Sequence, residues 1–139
     1  MSLLTGFVAL LAASVVSVPT PPGVPSTEVT AHHGSVYQTG NDAQTTQGFL
    51  EIDNLGAADE LTGATCPIAD TTSLVGADGQ PIENLPIPAK QDVRLTPGGT
   101  HLMLQSLHFS VQYGGIIPCS LTFAQAGTVS VFLYAKPAP

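Results

Sequence analysis

Residues 95–107 read Leu95-Thr96-Pro97-Gly98-Gly99-Thr100-His101-Leu102-Met103-Leu104-Gln105-Ser106-Leu107. The segment opens on a turn, because Pro97 presets φ and the glycine pair accepts the conformations that tight turns demand. From Thr100 onward the apolar residues do not repeat at helical intervals. On a strand, side chains alternate between faces, so His101 and Met103 project to one side and Leu102 and Leu104 to the other. The leucines can then fill a core, which leaves an imidazole and a thioether together on the opposite face.

Outward from this segment the same kind of signal recurs. Short apolar or alternating runs at 29–37, 48–53, 60–64, 92–95, 100–107, 117–123 and 128–135 predict strands, and none has helical periodicity. Turn-forming clusters separate them at 41–44, 54–59, 77–81, 97–99 and 113–115. Short strands at this spacing predict an all-β antiparallel sandwich or barrel. The 139 residues suffice for one domain, and 43% apolar content against 9% charged excludes a disordered polyelectrolyte or a coiled coil. Three basic residues stand against ten acidic ones, for a net charge of −7. No basic stripe is available to neutralise phosphates, so nucleic acid is excluded as a partner.

The N-terminus reads as an address. Residues 3–18 carry no charge, are short for a transmembrane helix of about 20 residues, end in small residues and run into a Pro-rich stretch. The expected organisation is a signal peptide or N-terminal anchor over 1–18, a linker over 19–27 and a β-domain over 28–139. No Cys lies near the end of the apolar run, so a lipid-modified N-terminus is not indicated. Export implies a periplasmic or secreted protein, and in an oxidising compartment Cys66 and Cys119 are expected to form a disulfide. Cys119 alternates with Leu121 and Phe123, which places it on a core face. A bridge closing about fifty residues contributes on the order of 4 kcal/mol. The alternative is a pair of thiolate ligands or a redox couple, although no C-x-x-C spacing favours it.

An imidazole and a soft thioether at positions i and i+2 are what a Cu(I) site uses. A complete site needs further ligands, which these two residues do not supply.

The run at 95–104, with Gly48-Phe49-Leu50-Glu51-Ile52-Asp53-Asn54-Leu55-Gly56 before it and Leu121-Thr122-Phe123-Ala124-Gln125-Ala126-Gly127 after it, resembles the PCu(A)C-type periplasmic copper(I) chaperone family. That family carries L-x-P-G-G-x-H-L-M-L between an N-x-G-containing segment and L-x-F-x-x-A-G-x-V. The resemblance implies a cupredoxin-like antiparallel β-sandwich of Greek-key type. It further implies that the domain binds Cu(I) and passes it to a copper-accepting protein, such as an oxidase copper subunit or another carrier. It implies no small-molecule substrate, and a monomer or weak dimer.

Carried over residue by residue, the family's last two ligands fall on His101 and Met103. Its first Met lies about 21 residues before the second His, and counting back reaches Gly79. No His or Met occurs between Glu60 and Thr100, so half of the four-ligand set is absent. The candidates to complete the site are His32 and His33. As neighbours on a strand they should point to opposite faces, so only one of them could join His101. His108 should lie on the other face unless a bulge intervenes. Glu51 and Asp53 alternate with Leu50 and Ile52, as on the solvated face of an edge strand.

Two readings follow: a copper chaperone of the cell envelope with a degenerate site, or a metal-free relative serving as a binding or structural module. An enzyme is not expected, because no G-x-S-x-G, H-E-x-x-H or phosphate-binding glycine loop is present.

Overall fold

A computed structural model describes residues 28–139; the expected signal segment and linker lie outside them. Ten strands run in chain order: β1 Val29–Tyr37, β2 Thr45–Asn54, β3 Asp59–Thr65, β4 Ala69–Val75, β5 Pro81–Ile82, β6 Leu85–Ile87, β7 Asp92–Leu95, β8 His101–Leu107, β9 Ile116–Phe123 and β10 Gly127–Lys136. The described residues contain no helix.

The hydrogen-bonded order is β5-β4-β8-β2-β1-β10-β9-β3-β6, with β7 also on β2. Its two ends, β5 and β6, are joined by only Glu83 and Asn84. That short link brings the edges of the path together, so the sheet curls round a single core in a nearly closed β-sandwich.

All pairings are antiparallel except one. β1 runs parallel to β10, with Gly34 opposite Leu133 and Val36 opposite Ala135. The antiparallel sandwich expected from the sequence thus carries one parallel pair. Parallel neighbours need a long crossover connection, and almost the whole domain lies between these two strands.

Alternation builds the core. Leu50 and Ile52 of β2, Leu102 and Leu104 of β8, Leu121 of β9 and Leu133 of β10 are all buried on the inner face. Cys66 and Cys119 are disulfide-bonded with Cα atoms 4.3 Å apart. Because Thr65 pairs with Ser120, the bridge extends the β3–β9 ladder by one step into the core. Buried Asp59 is structural: Oδ1 accepts from the amides of Glu60 and Gln125, and Oδ2 from that of Ala126, which ties the β9–β10 turn to β3.

Two breaks in alternation position the outer face. Between His32, opposite Glu51, and Ser35, opposite Phe49, β1 carries one extra residue. His33 absorbs this bulge with φ at 53°. The next residue must be glycine, because a Cβ on Gly34 would lie 2.3 Å from the Phe132 carbonyl oxygen of β10. Ser106, with φ at 56°, marks a second break near the end of β8.

Candidate metal centre

The Pro97-Gly98-Gly99 turn does not connect paired neighbours. β7 and β8 follow one another along the same edge of β2: Leu95 pairs with Leu50, and Leu102 with Gly48. Six residues, 96–101, therefore face the single residue Phe49, and the excess chain loops outward. Hydrogen bonds from Thr96 N to Thr100 O and from Gly99 N to Thr96 O close the loop. Gly98 takes a φ of 81°, which glycine adopts without cost.

This loop sets the tautomer of His101. Its Nδ1 lies 2.8 Å from the Gly99 carbonyl oxygen. A carbonyl only accepts, so Nδ1 carries the hydrogen and Nε2 keeps the lone pair. The Nε2 atom is buried and has no hydrogen-bond partner among the described residues. The residue as a whole is 8% exposed, with the Phe49 ring 6.1 Å away, centroid to centroid. An imidazole held by a backbone carbonyl with its other nitrogen free is prepared as a metal ligand.

Met103 lies on the same face, two residues on, and is half-buried. It pairs with Gln47 of β2 and Ser73 of β4. It lines a shallow pocket of about 300 Å3 with Tyr37, Thr45 and Gln47. Across β1, Tyr37 packs edge-on against Phe49, and the Lys136 ammonium sits 5.5 and 5.3 Å from the centroids of these two rings. The fold thus places an imidazole with an unpartnered nitrogen and a thioether two residues apart on one face of β8.

The β4–β5 hairpin holds the position at which the resemblance would place a further ligand. Val75 pairs with His101, so the turn that follows lies beside the imidazole. That turn is held by Gly79 N to Gly76 O and Gly76 N to Gln80 O. Gly79, where the spacing places the resembling family's Met, has φ at 83°, a conformation strained for any side chain.

The structure divides the four candidate ligands into two groups. His32 and His33 do not point to opposite faces as strict alternation requires: the bulge turns both rings to the outer side, where their centroids are 4.4 Å apart. Both reach Glu51 Oε2, His33 Nδ1 at 2.6 Å and His32 Nε2 at 3.3 Å. Glu51 stands two residues beyond Phe49, and β1 and β8 flank β2 on opposite sides. At about 3.4 Å per residue and 4.8 Å per strand, the backbones of His32 and His101 are about 12 Å apart. Neither histidine of β1 joins His101.

One further expectation changes. Glu51 and Asp53 are not on an edge strand, because β2 pairs with β1 on one side and with β7 and β8 on the other. Glu51 also contacts Arg94 Nε at 3.0 Å through Oε1. The His33 hydrogen bond, opposed by desolvation and aided by Arg94, holds its carboxyl below the usual range. Asp53 is pushed up by desolvation and by the hydrogen bond and charge of Asp92. His108, beyond the second break, bonds Asp70 Oδ1 and takes no part in either group.

A nearly closed all-β domain that presents an imidazole and a thioether beside a Pro-Gly-Gly loop has the architecture of a PCuAC domain. Among solved structures, the chain resembles the copper-bound PCuAC domain from PmoF2 with a TM-score of 0.73 at 17% identity, over 88% of this chain and 100% of that one. The apo PCuAC domain from PmoF1 gives 0.72 at 19% identity, covering 80% and 95%. CuI-DR1885 from Deinococcus radiodurans gives 0.64 at 23% identity, covering 82% and 80%. At these identities the likeness is one of fold. Residues 18–133 match the LpqE-like family model, described as "Putative lipoprotein LpqE-like", and the chain belongs to that family. No curated protein matches it in sequence.

Proposed function

We propose that this chain is a copper-binding, chaperone-like protein of the cell envelope, which holds Cu(I) through His101 Nε2 and Met103 Sδ. The observation that carries this reading is the buried, partnerless Nε2 atom, fixed in the ligating tautomer by the Gly99 carbonyl. A buried polar atom without a partner costs about 1–3 kcal/mol, which a bound ion would offset. A thioether beside it selects a soft ion, and Cu(I) is the ion for which that pair is suited. Copper here is cargo. The protein acts by binding and transfer rather than by catalysis, and the acceptor is an oxidase copper subunit or another copper carrier that supplies the missing ligands. Two ligands leave coordination positions open, and an open position is what exchange between two proteins requires. The family's lipoprotein description and the core disulfide support an oxidising, extracytoplasmic location.

The test is an anaerobic Cu(I) competition titration against a chromogenic chelator, with His101→Ala and Met103→Ala alongside. One-to-one binding lost in both variants is expected. Binding that neither substitution weakens, or no binding at all, overturns the reading. It would leave a metal-free relative that kept the sandwich as a binding module, which Gly79 in place of a ligand favours.

A further inference from the structure

The β1 bulge builds something that the His101 site does not use. In a regular strand His32 and His33 would face opposite sides; the extra residue and the positive φ of His33 bring both imidazoles over one carboxylate of β2. We propose that His32, His33 and Glu51 form a second cation site, which takes one divalent borderline ion, zinc or copper(II).

Each residue offers one donor atom within 4.8 Å of the other two, and the nitrogens nearest the shared Glu51 Oε2 are His32 Nε2 and His33 Nδ1. An ion placed among them needs bonds of about 2.0–2.2 Å, for which pairwise donor separations of about 3–3.5 Å are right in a tetrahedron. The separations of 2.6 and 3.3 Å already measured to the shared carboxylate oxygen need only small side-chain rotations. Two imidazoles and one carboxylate suit zinc and copper(II), whereas the soft Cu(I) ion prefers the thioether of the first site. The two sites therefore differ in the ion they select.

The surroundings are those of a ligand set that is oriented from behind. Arg94 Nε engages Glu51 Oε1, the oxygen not used for the ion, and so leaves Oε2 turned toward the histidines. Asp53 Oδ2 stands 3.4 Å from His32 Nδ1, the ring nitrogen not offered to the ion, and can accept its hydrogen when Nε2 binds. Asp92 lies beside Asp53, so three carboxylates face one guanidinium around the two rings, an excess of negative charge that a divalent cation neutralises. The fourth coordination position opens outward, over a shallow pocket of about 250 Å3 lined by both histidines, Phe132 and Tyr134. Water can reach it there.

The test is calorimetric titration of Zn2+ into the full chain, with electron paramagnetic resonance of added Cu2+ as a second readout. One equivalent of Zn2+ is expected, at least tenfold weaker in Glu51→Gln and in His33→Asn. Asparagine keeps the left-handed backbone at position 33 accessible. The Cu2+ spectrum should show nitrogen ligation that His33→Asn diminishes. His101→Ala and Met103→Ala should leave the Zn2+ isotherm unchanged, which separates this site from the Cu(I) site. If either variant loses the wild-type circular dichroism spectrum, His32→Gln takes its place. Absence of Zn2+ and Cu2+ binding up to about 1 mM would overturn the proposal and leave the cluster as surface ion pairing. Binding that survives the β1 and β2 substitutions, or that His101→Ala abolishes, would overturn it equally.

Discussion

The carbonyl oxygen of Gly99 fixes the imidazole two residues later: His101 Nδ1 donates to it at 2.8 Å, and Nε2 is left buried with its lone pair free. The loop that brings the carbonyl there exists because six residues of the β7–β8 edge face one residue of β2. Backbone irregularity and the orientation of the imidazole are thus one feature.

An unsatisfied buried nitrogen is retained at a cost to stability, so removing it should help the fold. His101→Leu is expected to keep or raise the melting temperature, since burying Nε2 unpaired costs about 1–3 kcal/mol. The same substitution should abolish Cu(I) binding. Thermal melts and the chelator competition, run on one preparation, check both halves. A large loss of stability would show that Nε2 is not the unsatisfied atom it is here.

Gly34→Ala tests the parallel β1–β10 seam. The new Cβ would meet the Phe132 carbonyl at 2.3 Å and the Leu133 side chain at 2.7 Å, so the strands must separate. A loss of about 2–3 kcal/mol in urea unfolding is expected, as for overpacking against backbone that cannot move aside. Displacement of the neighbouring bulge should also weaken Zn2+ binding at His32 and His33.

Replacing both cysteines by serine should destabilise the domain by about 4 kcal/mol, the chain-entropy value for a bridge spanning 53 residues. The bridge joins β3 to β9, strands that carry no proposed ligand. Cu(I) affinity under conditions where the variant is folded should therefore be unchanged. Copper binding lost at full stability would assign the sulfurs a ligand role instead.

The two carboxylates of the outer face should respond to pH in opposite senses, measured with a chelator present. Glu51 has its native value lowered from the ordinary 4.5, chiefly by the His33 hydrogen bond, so between the two values the unfolded chain binds more protons. Its contribution to stability is full above 4.5 and is lost as pH falls through the lowered native value. Asp53 is raised from 3.8, chiefly by desolvation and then by Asp92. Its contribution is full below 3.8 and is lost as pH rises through the raised native value. Glu51→Gln should lower the melting temperature at pH 7, by an amount that shrinks as pH falls below 4.5, and Asp53→Asn should raise it at pH 7, by an amount that shrinks as pH falls toward 3.8.

Much of the fold was legible locally. The runs at 29–37 and 92–95 coincide with β1 and β7, and five other expected strands match within three residues at each end. β4, β5 and β6 were not recognised. β4 is largely polar, while β5 and β6 are short and contain Pro81 and Pro86, residues that normally demote a strand. Their extended state comes from pairing, β4 with β8, β5 with β4 and β6 with β3, not from their own composition. The bulge in β1 did leave a trace. Val29 and Ala31 face inward from odd positions and Val36 from an even one, which demands one extra residue between them.

By itself, then, the sequence determined the all-β class, the core face of β8 and β9, and the placement of His101 and Met103 on one side of their strand. All of these rest on alternation along a single segment, a local property with a period of two. Only the tertiary structure decided the parallel closure of β1 on β10, the tautomer of His101, and the grouping of His32 and His33 around Glu51. Those depend on register between segments far apart in the chain. One extra residue in a register reverses which side chains meet, and no local pattern states with which neighbour it will be counted.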